Sequence, residues 1–254
     1  DEERLKRMSI VQRSEGKSVV NMAHLAIVGS HSVNGVSRLH TEILKKKIFK
    51  DFYEIWPERF VNITNGVTHR RWLLESNPGL SALITEAIGD GWIKDFSEIR
   101  RLERFAEDSE FQNAFVKVKM ENKEKLKAFL RKMYGIDLSP SSFLDCQIKR
   151  FHEYKRQLLN ILHVITLFNR VLEGRFESEI EKRTFLFSGK SAPGYFLCKL
   201  IIKLINNVSL AIESVQWVRE RIRVVFVPNY SVTHAQRITP AADLSEQIST
   251  AGYE

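Results

Sequence analysis

From about residue 140 onwards, apolar residues fall into two alternating rhythms. Short, nearly continuous apolar runs occupy 143–148 (Phe-Leu-Asp-Cys-Gln-Ile), 184–188 (Thr-Phe-Leu-Phe-Ser) and 222–227 (Ile-Arg-Val-Val-Phe-Val), and read as strands. Between the first two, Leu158, Leu159, Ile161, Leu162, Val164, Ile165, Leu167, Phe168, Val171 and Leu172 recur at helical spacing over 155–172, with Gly174 placed for a C-terminal cap. A second helical run covers 195–206. The order is βαβαβ, the signature of a parallel, doubly wound (Rossmann-like) sheet whose strands are apolar throughout because helices cover both faces. Its crossovers should be right-handed. Ligands of such sheets bind outside the strands' carboxyl ends, here the loops 149–155, 188–194 and 228–233.

Upstream, the pattern is helical. Residues 17–56 read as helix broken at Gly29, Asn34 and Gly35, with Leu39, Ile43 and Leu44 on one face. Turn signals follow at Pro57, Asn65-Gly66 and Asn77-Pro78-Gly79. Helices then fill 80–135. The clearest starts at a cap near Asp108 or Ser109 and runs through Phe111, Phe115, Val118, Leu126, Phe129, Leu130 and Met133 to Gly135.

Composition narrows the function classes. The 254 residues are 43% hydrophobic, ordinary for a globular chain, and no apolar run is long enough for a membrane span. No secretory signal opens the chain, and an initial Asp suggests a start inside a longer polypeptide. Cys146 and Cys198 form neither a disulfide framework nor a zinc spacing, so reduced thiols in the cytoplasm are expected. The +8 formal charge falls largely on amphipathic segments such as 117–132, where lysines alternate with Glu121 and Glu124. No helix-turn-helix, zinc-finger or RNA-recognition pattern accompanies it, which argues against nucleic acid as a partner.

The strongest chemical signal lies at the first strand-to-helix turn. Lys149-Arg150-Phe151-His152-Glu153-Tyr154-Lys155-Arg156 puts four cations, a histidine and a tyrosine where a helix begins. Unpaired N–H groups and a positive helix end favour an anion there, most naturally phosphate. A solvated, charged helix start is the competing reading. Phe151 and Tyr154 among the cations favour a cleft. Ser188-Gly189-Lys190-Ser191 has the ending of a nucleotide P-loop, but Thr184 stands where that motif needs glycine. His24, His31 and His40 fit no common metal spacing, and no hydrolase elbow is present. Trp72 and Tyr230 are aromatics beside turns, positions more often core than site.

Six segments carry a family resemblance: Asn21-Met22-Ala23-His24-Leu25; 29–36 (Gly-Ser-His-Ser-Val-Asn-Gly-Val); Thr64-Asn65-Gly66-Val67-Thr68 with Arg70-Arg71-Trp72; 149–157; 189–195 (Gly-Lys-Ser-Ala-Pro-Gly-Tyr); and 240–252 (Pro-Ala-Ala-Asp-Leu-Ser-Glu-Gln-Ile-Ser-Thr-Ala-Gly). Together, in one order along nearly the whole chain, they resemble the glycogen (α-glucan, maltodextrin) phosphorylase family. The resemblance implies an α/β chain that is part of a two-lobed glycosyltransferase B fold. Residues 1–65 would be the helical end of the first lobe. Residues 66–254 would be the first part of the cofactor- and phosphate-binding lobe, with helices over 80–135 and the βαβαβ unit over 143–230.

The implied activity is phosphorolysis of terminal α-1,4 linkages of a glucan to glucose 1-phosphate, with retention, using pyridoxal 5′-phosphate through its phosphate group. Residue by residue, the resemblance puts Arg150 and Lys155 on the substrate phosphate and Lys149 on the cofactor phosphate. It puts Tyr154 and Glu254 on sugar hydroxyls, Asn65 across the sugar ring, Trp72 and Tyr230 against the cofactor, and His152 in support of the loop. The partners implied are α-1,4-glucan and inorganic phosphate, in a cytoplasmic homodimer without metal. The family's cofactor-bearing lysine belongs to a stretch expected after Glu254, so none is assigned here, and the stretch alone is expected to be inactive. Ser231 stands where some relatives carry arginine, and Ser191 where alanine is usual. A non-catalytic glucan- or phosphate-binding truncation is the alternative. A nucleotide-sugar glycosyltransferase is disfavoured by the phosphorylase-specific strings.

Overall fold

The structure is a computed structural model and describes residues 2–14, 16–175 and 181–250. The chain divides into two compact units, Asp1–Thr68 and His69–Glu254.

The first unit opens with helix α1 (Glu2–Met8) and an antiparallel hairpin of β1 (Val11–Ser14) and β2 (Lys17–Val20). Helix α2 (Met22–Gly29) follows, capped by Asn21, whose side chain accepts from the His24 amide. Strand β3 (Val33–Gly35) pairs in parallel with β4 (Phe60–Asn62), and helices α3 (Arg38–Ile43) and α4 (Lys50–Ile55) lie between them in sequence. Ile27, Phe52 and Phe60 form the buried centre. The helical reading of 17–56 therefore needs correction at 17–20 and 33–35. Val19 and Val20 favour extended backbone, and Gly16, at φ 76°, closes the turn that pairs them with residues 11–14. Gly35 has a stricter cause: a Cβ there would lie 2.7 Å from the Thr41 Cα.

The second unit contains α5 (Pro78–Ile88), two 3-10 segments and the long α6 (Ser109–Tyr134). Asp108 caps α6, accepting from the Glu110 and Phe111 amides, and Gly135 ends it in the left-handed region at φ 67°. Then come β5 (Phe143–Ile148), α7 (Gln157–Leu172), β6 (Arg183–Ser188), α8 (Phe196–Glu213), the short α9 (Gln216–Arg219), β7 (Ile222–Val227), α10 (Val232–Ile238) and β8 (Leu244–Ser245). The four strands form one parallel sheet in the order β7-β6-β5-β8.

Period-two alternation sorts the side chains between the sheet's two faces. Leu144, Cys146, Leu186, Val225 and Val227 pack with Leu126 and Leu130 of α6. Phe185, Phe187, Ile222 and Val224 pack with Ile161 and Val164 of α7 and Ile201 and Ile205 of α8. The chain is thus mixed α/β with parallel sheets. Helix α8 runs seven residues beyond the run 195–206, ending at Glu213. Strand β8, absent from the periodicity reading, is two residues long with both side chains exposed, so it carries no apolar signal. It matters topologically. Chain order proceeds from β5 to β6 on one side, whereas β8 returns to the other, which makes the β5–β8 carboxyl ends the point where strand order reverses.

Candidate functional site

The loop after β5 is held from beneath by buried amides. Gln147 and Gln157 are each 1% exposed. Gln147 Nε2 donates to the Lys155 carbonyl (3.1 Å), while its Oε1 accepts from Asn160 Nδ2 (3.0 Å). Gln157 Nε2 donates to the Arg150 carbonyl (3.0 Å). Both carbonyls of the proposed phosphate-gripping residues are therefore tied down. Sequence reasoning passed over these amides. For Gln147 the signal was a glutamine inside an apolar strand, which must find partners when buried.

Beyond the strand ends the β5–β6 ladder continues, with the Lys149 amide donating to Ser188 and the Phe151 amide to Lys190, each at 3.0 Å. Gly189 permits the approach. A Cβ there would stand 2.5 Å from the Lys149 carbonyl oxygen and 2.6 Å from the Phe151 ring.

Between these loops opens a cleft of about 500 Å³. Arg150, Tyr154 and Lys155 line it from one side, and Lys190, Ser191 and Tyr195 from the other. His152 also faces it, with its ring 4.6 Å from that of Tyr154 and 5.1 Å from that of Tyr195. His152 Nδ1 accepts from the Tyr154 amide (3.4 Å). Tyr195 Oη donates to Glu153 Oε2 (2.5 Å), and this bond, aided by burial, pushes the Tyr195 phenol up to about 12. The phenol therefore stays protonated through the physiological range.

The structure differs from the expected helix-start site in one respect. Residues 153–155 form a 3-10 turn, and Arg156, at φ 57°, separates that turn from α7. The cleft is lined by the turn's side chains rather than by the first turn of α7. Three cations of different geometry face it, Arg150 as a planar fork and Lys155 and Lys190 as point charges, a donor set suited to a phosphate-class anion. In sequence, Lys190 stood in the rejected P-loop and in the resemblance segment 189–195, but no phosphate role was given to it.

The other named residues lie elsewhere. Lys149 Nζ donates to Gln247 Oε1 at 2.6 Å, at the carboxyl ends of β5 and β8. Tyr230 is half-buried just past β7, and Trp72 half-buried in the helical turn Arg70–Glu75; neither lines the cleft. Asn65 belongs to the first unit, in the exposed segment after β4. Glu254 falls outside the described residues.

Segment 240–250 is drawn across the cation loop. Lys119 Nζ donates to the Pro240 (3.1 Å) and Ala242 (2.6 Å) carbonyls. The Glu246 amide donates to Cys146, and the Thr250 amide to Tyr154, each at 2.8 Å. The Arg156 guanidinium reaches the Ile248 and Ser249 carbonyls. On β5, Asp145 is 2% exposed and feels the carboxyl of Glu246. Burial and that second carboxyl raise it to about 7, against a smaller opposing effect from Arg183, 3.8 Å away.

Residues 1–254 match the family model described as carbohydrate phosphorylase. Over its full length the chain is 52% identical to the muscle form of glycogen phosphorylase from Bos taurus, 51% to glycogen phosphorylase from a Synechocystis strain, and 50% to the liver form from Homo sapiens. It spans 30% of the length of each of these curated relatives. With a match along every residue of the sequence, the chain belongs to the carbohydrate phosphorylase family.

Proposed function

We propose that this chain is part of an α-glucan phosphorylase that releases glucose 1-phosphate from the terminal α-1,4 linkage of glycogen, starch or maltodextrin, with retention. The observation that carries the reading is the three-cation cleft at the carboxyl end of β5 and β6, in a chain about half identical to glycogen phosphorylases throughout. A two-lobed glycosyltransferase B fold, with 1–65 ending one lobe and 66–254 beginning the other, is the architecture we assign. A cytoplasmic homodimer is the assembly. Among the described residues no helix is long and apolar enough to cross a membrane.

Pyridoxal 5′-phosphate, when bound, would supply a phosphate group able to exchange a proton with the substrate phosphate. The donor set fits that group, since the ammonium of Lys149 stands at the β5–β8 carboxyl ends, next to the loop that bears Arg150 and Lys155. Arg150 and Lys155 hold the substrate phosphate. Two phosphates brought together repel by about 4 kcal/mol per pair of unit charges at 4 Å and an effective dielectric near 20, so fixed cations are required. Held there, the substrate phosphate protonates the departing glycosidic oxygen and faces the positive charge that develops on the sugar. His152 keeps the loop in shape through the Tyr154 amide. Tyr154 and Glu254 take sugar hydroxyls, Asn65 the far side of the ring, and Trp72 and Tyr230 flank the cofactor.

The test is a phosphorolysis assay on the full-length protein, with and without pyridoxal phosphate. Cofactor-dependent glucose 1-phosphate release from maltodextrin supports the reading. Glucan or phosphate binding without release, cofactor present, supports the non-catalytic alternative.

A further inference from the structure

Lys149 meets Gln247 through the side-chain amide oxygen, and the other end of that amide is also committed. Gln247 Nε2 donates to Ser245 Oγ at 3.0 Å, while Oε1 accepts from Lys149 Nζ at 2.6 Å. The ammonium can only donate, so it takes the oxygen end of the amide, and the serine hydroxyl, able to accept, braces the nitrogen end. Gln247 does not wander, because the chain before it is anchored. Strand β8 pairs with β5 through Asp145–Leu244 and Cys146–Ser245, and the Glu246 amide donates to the Cys146 carbonyl. After it, Ile248 and Ser249 are held by Arg156, and Thr250 by Tyr154. The contact thus spans the point where strand order reverses, between one residue past β5 and two past β8.

We propose that Gln247 is a positioning residue, braced by Ser245, that holds the Lys149 ammonium in place for a phosphate group with a neutral acceptor. This rests on the functional reading above, which gives Lys149 the cofactor phosphate. The choice of amide over carboxylate is the physical point. A glutamate of nearly the same shape would also orient the ammonium, but its negative charge would oppose an incoming dianion and compete for the lysine. Alanine would remove the orientation and leave the charge untouched. The two substitutions therefore separate placement from charge.

The experiment uses the full-length apoprotein, reconstituted with pyridoxal phosphate and followed by quenching of tryptophan fluorescence. We expect Gln247→Ala to weaken cofactor affinity roughly 3–10-fold and Gln247→Glu roughly 30-fold or more, with the Glu loss growing as salt is lowered. Ser245→Ala, which leaves Gln247 in place but removes the brace on its Nε2, should lose about 2–3-fold. Both Gln247 and Ser245 are exposed, so thermal midpoints should stay within about 2 °C of wild type. In holoenzyme saturated with cofactor, the KM for inorganic phosphate should change less than about twofold, unlike that of an Arg150 variant. Unchanged cofactor affinity in both Gln247 variants, or equal losses in the two, overturns the inference while leaving the functional reading intact. A wild-type protein that takes up no pyridoxal phosphate overturns both.

Discussion

Lys123 Nζ, on a helix residue only 6% exposed, lies 2.6 Å from Asp243 Oδ2, and the same oxygen accepts from the Leu144 amide at 2.7 Å. One carboxylate thereby joins α6, the start of β5 and the approach to β8. Lys123 also donates to the Ser142 carbonyl at 3.0 Å. Lys123 belongs to the lysine-rich segment 117–132, whose composition reads as a solvated face. Burial of this cation, and half-burial of Lys119, sets two of those charges apart as clamps on the segment that leads to Gln247.

Lys123→Ala should therefore be costly. The lysine is buried, but the Asp243 side chain is 19% exposed and keeps the Leu144 amide, so the loss should be about 1–3 kcal/mol. The thermal midpoint should fall, and amide exchange should accelerate first at Leu144–Cys146 and Asp243–Glu246. Unchanged protection of those amides would show that the clamp contributes nothing.

Asp145 makes stability pH-dependent in a defined window. Its carboxyl titrates near 7 in the folded chain and near 3.9 when unfolded, so between those values the folded state binds the extra proton. The contribution is complete below about pH 4 and is lost as pH rises through 7. Asp145→Asn should flatten that decline. Denaturation midpoints for both proteins from pH 5 to 8 provide the check, and parallel curves would exclude this group.

Gly189→Ala should spread the cleft. The new methyl group would meet the Lys149 carbonyl, a backbone atom that cannot rotate away. A loss of about 1–3 kcal/mol is expected, as for overpacking elsewhere. Phosphate binding should weaken as the β5 and β6 loops part, and a variant with wild-type stability and phosphate affinity would contradict the contact.

For the chemistry, Arg150→Ala in the full-length protein should lower catalytic efficiency by roughly 10²–10³, a loss of about 3–4 kcal/mol of phosphate stabilisation. Arg150→Lys should recover part of it, since the charge remains but the fork does not. Near-normal turnover of the alanine variant at saturating phosphate would remove Arg150 from the mechanism.

Much of the second unit was legible because its strands are buried on both faces. Strands β5 and β7 coincide with their apolar runs and β6 begins one residue earlier. Asp108 and Gly135 bound α6 as capping chemistry requires. The hairpin at 11–20 was not legible. Its β2 side chains are all exposed, so no buried face imposes a period, and the turn at Gly16 decides the pairing. Strand β8 escaped for the same reason.

The amino-acid order alone determined that a parallel α/β unit exists, where its strands fall, and that Arg150, Tyr154 and Lys155 crowd one turn at a strand's carboxyl end. Those are local properties, set by side-chain period and by turn and cap residues. Only the tertiary structure decided that Lys190 faces the same cleft, that Lys149 turns instead to Gln247, and that Lys119 and Lys123 are clamps rather than solvated charges. Each of those depends on contacts between segments distant in sequence, and no local pattern records which buried polar group a distant chain segment will satisfy.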